Sequence, residues 1–96
     1  MRKITEESIN AFYSKKRFKQ RNMEVYVGEF STILILHGNI IATLHDNGLL
    51  EITTCGYNTN TTRDRLSALK GVTVRTKLGQ LYLNNVKWDG KLTQLF

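Results

Sequence analysis

Proline is absent from this sequence, cysteine occurs once, and long apolar runs are missing altogether. Each absence excludes something. Without proline no slow X-Pro isomerisation limits folding. A lone Cys55 cannot close an internal disulfide and fits a reducing cytosol. The longest apolar stretches lie around Ile33–Leu36 and Ile40–Leu44, far short of the roughly 18 residues of a membrane span. The start, Met1-Arg2-Lys3, is basic but has no apolar segment behind it, so no signal peptide is expected. These absences predict a soluble, cytoplasmic protein with no membrane partner.

What is present fits one domain. Ninety-six residues, 41% of them hydrophobic, suffice for a single core. A chain of this size buries roughly 60–65% of its unfolded surface, which leaves little room for a deep catalytic pocket. Charge is the more informative quantity. The net charge of +6 is uneven: residues 1–21 carry seven basic and two acidic side chains, residues 22–96 seven and six. The excess therefore falls in the first segment, on Arg2, Lys3, Lys15, Lys16, Arg17, Lys19 and Arg21. Such asymmetry suggests an anionic partner, either nucleic acid or an acidic protein surface. The alternative is a solvated helix face that keeps the chain soluble.

Periodicity predicts a helix from about Glu6 to Arg17, with Thr5 as N-cap and Ile9, Phe12 and Tyr13 as its apolar stripe. The stripe ends at Lys16, so the helix is expected to begin as core and finish as a cationic projection. Residues 22–54 read as a β-meander with strands Met23–Val27, Ser31–Leu36, Ile40–Leu44 and Leu49–Thr54. His37-Gly38-Asn39 and Asp46-Asn47-Gly48 supply its turns, because Asn-Gly tolerates positive φ angles. Thr61 and Asp64 then have the spacing of a capping box, opening a short helix with Leu66 and Leu69 inward and Gly71 as its stop. Val72–Leu78 alternates as a strand, with Val72, Val74, Thr76 and Leu78 inward, and Leu81–Leu83 returns beside it. Leu34, Leu36, Ile40, Leu44, Ile52, Leu66, Leu69, Val74, Leu81 and Leu83 form the expected core. The fold class is α+β: an N-terminal helix, an antiparallel four-stranded meander, a short second helix and C-terminal β-hairpin strands on the same sheet.

Three segments, in order, carry a resemblance: Leu34-Ile35-Leu36-His37-Gly38-Asn39-Ile40-Ile41-Ala42, Gly56-Tyr57-Asn58-Thr59-Asn60-Thr61-Thr62-Arg63-Asp64-Arg65-Leu66, and Gly79-Gln80-Leu81-Tyr82-Leu83-Asn84 with Trp88-Asp89-Gly90. Over about residues 30–90 the chain resembles short accessory proteins of tailed bacteriophages. The resemblance implies expression in a bacterial host cytoplasm and carries no binding residues with it. It leaves out the basic first segment, which it marks as the variable, partner-specific part.

Catalytic chemistry has little to work with. His37, His45 and Cys55 are the only soft or near-neutral titrating side chains, and they lack the spacing and the fourth ligand of a zinc site. No pattern orients Cys55 as a nucleophile beside a base, and the glycines are scattered rather than gathered into a phosphate loop. The chain is expected to be no enzyme and to need no cofactor or metal. Binding has better candidates. Lys15, Lys16, Arg17, Lys19 and Arg21 could contact phosphates, with Tyr13 or Phe18 available for stacking. Tyr57 and Asn58 occupy a polar loop, and Arg63 and Arg65 lie in the first turn of the second helix, where positive charge opposes the helix dipole. That cost favours a binding role for the arginines; the equal alternative is that they pair with Asp64 or nearby carboxylates. Tyr13, Phe18 and Trp88 read first as core residues. Two functions remain open. One is a phage accessory protein that inhibits a host enzyme or defence complex, of the anti-CRISPR type, by binding a host protein or ribonucleoprotein. The other is a sequence-tolerant RNA- or DNA-binding protein that uses the N-terminal basic helix.

Overall fold

The computed structural model describes residues 3–95; Arg2, part of the basic excess, lies outside them. The first helix, α1, spans Lys3–Ser14 and buries Thr5, Ser8, Ile9 and Phe12 along one stripe. Three residues earlier than Arg17 it stops, although Lys15, Lys16 and Arg17 are all good helix formers. The stop is a Schellman turn built without glycine. Lys15 takes a left-handed φ of 55°, Lys16 N–H reaches the Ala11 carbonyl at 2.9 Å, and Lys15 N–H points to that of Phe12. What compels it is tertiary. The next residues form β1 (Phe18–Gln20), which pairs antiparallel with β2 (Met23–Val27) in the register Phe18 opposite Val25. The expected cationic helix end is therefore a turn and an edge strand.

The meander follows as β2, β3 (Ser31–Leu36), β4 (Asn39–His45) and β5 (Leu50–Ile52), each pairing antiparallel with the next. With β1 on one edge and β9 (Thr93–Leu95) on the other, they make a six-stranded sheet in the order β1-β2-β3-β4-β5-β9. One face, with Met23, Val25, Leu34, Leu36 and Ile52, is buried; Glu24, Tyr26, Ile33 and Ile35 lie on the other, partly open face. Between Leu34 and Ile35 the register with β4 shifts, so that Leu34 opposes Ala42 while Ile35 opposes Ile40. Ile41 is the extra residue of this bulge and turns inward. Ile40, expected in the core, is 46% exposed as a result. Leu44 is only half-buried.

Helix α2 covers Asn60–Ser67, and its N-cap is Thr59 rather than Thr61. Thr59 Oγ1 accepts the Thr62 N–H at 3.1 Å, which leaves Asp64 free for another task. After the helix, Ser67 Oγ bonds both backbone groups of Val74, donating to its carbonyl and accepting its N–H. This clamp holds β6 (Val74–Lys77) beside α2, where it pairs with β7 (Gln80–Leu83) and β7 with β8 (Val86–Lys87). The C-terminal hairpin accordingly forms a separate three-stranded sheet, not an extension of the first; only β9 rejoins the main sheet. Thr76 and Leu78, expected inward, are exposed, Leu78 because it occupies the β6–β7 turn at φ 51°. Val74, Leu81, Leu83 and Trp88 join the same core as α1, α2 and the main sheet. Gly90 ties the two sheets: its carbonyl accepts from Thr54 N–H, Thr54 Oγ1 and Thr53 Oγ1. At φ +80°, with Thr54 Oγ1 2.5 Å from where a Cβ would stand, that position admits only glycine.

Candidate functional site

The five basic candidates from Lys15 to Arg21 do not form one patch. Lys15 turns toward the β4–β5 turn and pairs with Asp46 at 3.2 Å, an exposed pair of little energetic weight. Arg17 lies over the Tyr26 ring, 5.2 Å from its centroid, at the open face of the main sheet. Lys16 is exposed beside it on the α1 side. Lys19 stands opposite Glu24 across the β1–β2 pair, and Arg21 occupies the hairpin turn at φ 54°. Lys19 and Arg21 together line a groove of about 390 Å³ with Asn22, Glu24, Ile35 and His37.

His37 also borders a second groove. It measures about 360 Å³ and has an apolar floor of Leu36 and Ile41 under a rim of Thr54, Tyr57, Thr59 and Thr61. The rim holds hydroxyls and no carboxylate, so it suits a side chain with an apolar body and a hydrogen-bonding tip. The β3–β4 turn thus stands between the two grooves, and His37 borders both. The groove edged by Lys19 and Arg21 lies on the side of Glu24 and Ile35, the hydroxyl-lined one on the side of Leu36 and Ile41. Asn58 has a local role instead: its backbone and side-chain oxygens both accept from Arg63, which also reaches Asn60. Arg65, offered as a binding candidate, is buried. Its Nη1 donates to Asp64 Oδ2 at 2.7 Å and to Thr5 Oγ1 at 2.6 Å, and Thr5 donates to the same carboxylate oxygen at 2.8 Å. Both arginines are therefore held by the fold, and Arg65, expected in the first turn, lies in the last turn of α2, where its charge suits the helix dipole.

Each soft side chain has a local partner. His45 pairs with Glu51, the Cys55 thiol donates to the Ile40 carbonyl at 2.9 Å, and His37 meets the Asn22 side chain. Among the described residues no three of His, Cys, Asp or Glu gather as a metal site would require. No helix among them is long and apolar enough to cross a membrane.

A model of a bacteriophage protein family, the Kyanoviridae Gp96 protein, matches residues 1–94. The chain belongs to this family. The match takes in the basic first segment, so that segment is part of the Gp96 family pattern rather than an appendage to it. No curated protein and no solved structure matches the chain.

Sequence reading missed the second groove because its parts are far apart in the chain: Leu36 and Ile41 flank one turn, Thr54 follows β5, Tyr57 precedes α2 and Thr61 lies in its first turn. It also missed a second basic region. Averaging residues 22–96 gives near neutrality, yet from Arg65 to Trp88 there is no Asp or Glu, and Arg65, Lys70, Arg75, Lys77 and Lys87 all fall within that stretch. A sliding charge count would have found it.

Proposed function

We propose that the protein is a non-catalytic phage accessory factor that binds a host protein complex and inhibits it, using the surface around His37. One observation carries the reading: a hydroxyl-rimmed pocket with an apolar floor adjoins a groove edged by Lys19 and Arg21. Protein interfaces have this anatomy, an anchor pocket at the centre and charge at the rim. Tyr57, 57% exposed at the pocket mouth, is the kind of aromatic that anchors such contacts. Lys19 and Arg21 steer an acidic partner toward the pocket, so their effect falls on the association rate more than on the lifetime of the complex. The other reading, nucleic-acid binding through an N-terminal basic helix, loses its element, because α1 ends at Ser14 and the cations beyond it point in different directions.

The test is affinity capture from host lysate, with and without nuclease, for the wild type, the Lys19→Glu/Arg21→Glu double variant and Tyr57→Ala. A partner that survives nuclease is expected with the wild type and is lost with Tyr57→Ala. The double variant is expected to bind more slowly and with less dependence on salt. Capture that all three proteins share equally, or that vanishes with nuclease, would remove this surface from the account.

A further inference from the structure

The small sheet carries a second charged surface that shares no residue with the one around His37. Its register places Arg75 opposite Tyr82, and Tyr82 opposite Lys87. Directly opposed residues share a face, so these three form one row across the sheet. Lys77 and Gln80 are the next pair, two residues along, and lie on the same side. The other face holds Val74, Leu81 and Leu83, which are buried in the core. Arg75, Lys77 and Lys87 are all exposed, and Tyr82 is half-buried among them.

None of these three cations has a carboxylate within ion-pair reach among the described residues. Arg75 is held by the neutral Asn85 side chain at 2.8 Å. The strands of the sheet contain no Asp or Glu, and Asp89, just beyond β8, accepts the Lys91 N–H in a turn of its own. The guanidinium of Arg75 stands 5.8 Å from the Tyr82 ring centroid. That is near the roughly 6 Å limit of a cation–π contact, weak enough to yield to an incoming planar group.

We propose that this face binds single-stranded nucleic acid, with phosphates on Arg75, Lys77 and Lys87 and a base stacked on Tyr82. The cations alone would suit any polyanion, and the aromatic at the centre of the row is what chooses among them. A carboxylate gains nothing from a ring whose face is itself negative, whereas a base stacks on it. Duplex DNA offers the same phosphates but keeps its base faces in the stack, so it can use only the charge. Phosphate contacts and stacking both ignore base identity, and the binding is tolerant of sequence. This goes beyond the protein-binding reading and does not depend on it.

The test needs only the purified full chain and a fluorescent single strand of about 15 nucleotides, DNA or RNA, within the span of known single-strand sites. Anisotropy at low salt is expected to show binding, with a duplex of the same length bound more weakly. Changing Arg75, Lys77 or Lys87 singly to Gln should lower the slope of log K against log salt by about 0.7 each. Tyr82→Leu, which keeps an apolar side chain of similar reach, should weaken binding roughly five- to a hundredfold. Tyr82→Phe should bind as the wild type does. These positions face solvent or half-face it, and a thermal melt of each variant separates lost binding from lost folding. Absence of single-strand binding at low salt, equal binding by Tyr82→Leu, or a preference for duplex would each overturn the proposal. So would retention of an acidic host protein through the three cations without any oligonucleotide binding.

Discussion

Arg65 illustrates how one residue can look functional in sequence and be structural in space. Counted from Thr61 as the cap, Arg65 falls in the first turn of the helix, opposes the dipole and invites a search for an anionic partner. With Thr59 as N-cap it lies in the last turn, where its charge suits the dipole. The partner is its own neighbour, Asp64, and the pair is completed by Thr5 from the other helix. Position in the chain could suggest the Asp64 contact, but not Thr5, which lies 60 residues away and reads locally as an N-cap. The Arg65 side chain is almost fully buried and Asp64 about one-third exposed. Removing one partner of such a pair strands the other charge, which typically costs about 3–5 kcal/mol. Asp64→Ala is therefore expected to lose stability on that scale in urea unfolding, with Thr5→Val losing less because it leaves the ion pair intact. A near-neutral Asp64→Ala would mean that Arg65 finds another anion.

At the scale of elements, most of what could be read came from patterns that depend on neighbours in the chain. Apolar, β-rich runs between turn residues placed β2, β3 and β4 to within a residue, and the Asn84-Asn85 turn, with both φ angles positive, is the hairpin its sequence suggests. Misreadings arose where a contact from elsewhere outweighed local preference. Lys15, Lys16 and Arg17, which favour helix, became a turn leading into an edge strand, where Phe18 pairs with Val25. Ile40 and Ile41 exchanged places because a bulge, invisible in a run of apolar residues, adds one residue to β4. The cap of α2 moved two residues toward the N-terminus for a similar reason. With Thr59 as N-cap, Thr62 is the third helical residue and its hydroxyl meets that of Thr59 at 3.0 Å, while Asp64 goes to Thr5 and Arg65. Thr59→Ala is thus expected to lower stability by about 0.5–2 kcal/mol. Thr61→Ala, at a position that caps nothing, should change it far less while altering the Tyr57 pocket. Thermal melts of the two variants check the order, and a larger loss at Thr61 would restore the capping box.

Across the whole molecule, the two helices and the small sheet are joined by few polar links, and one of them titrates. The Lys70 N–H, just past α2, donates to the Tyr13 hydroxyl of α1 at 2.9 Å, and the Lys70 ammonium stands 4.7 Å from the same ring. Burial pushes the Tyr13 phenol above its ordinary value of 10.0, and the Lys70 N–H opposes this with a smaller pull toward the phenolate. The folded protein accordingly prefers the neutral phenol more than the unfolded chain does. A group raised in this way contributes stability that is complete below its unfolded pKa, here 10.0, and is lost as pH climbs through the folded value. The diagnostic quantity is the difference between wild type and a Tyr13→Phe variant, since every other group is common to both. Phenylalanine cannot ionise and cannot accept the Lys70 N–H. At neutral pH the variant should be less stable by about 0.5–1.5 kcal/mol, the net worth of a hydrogen bond. Above pH ~10 the gap should narrow, since only the wild type carries a phenol whose ionisation opposes folding. Urea unfolding on both sides of that pH measures it, and a gap that stays constant would show that Tyr13 titrates as freely in the folded protein as in the unfolded chain.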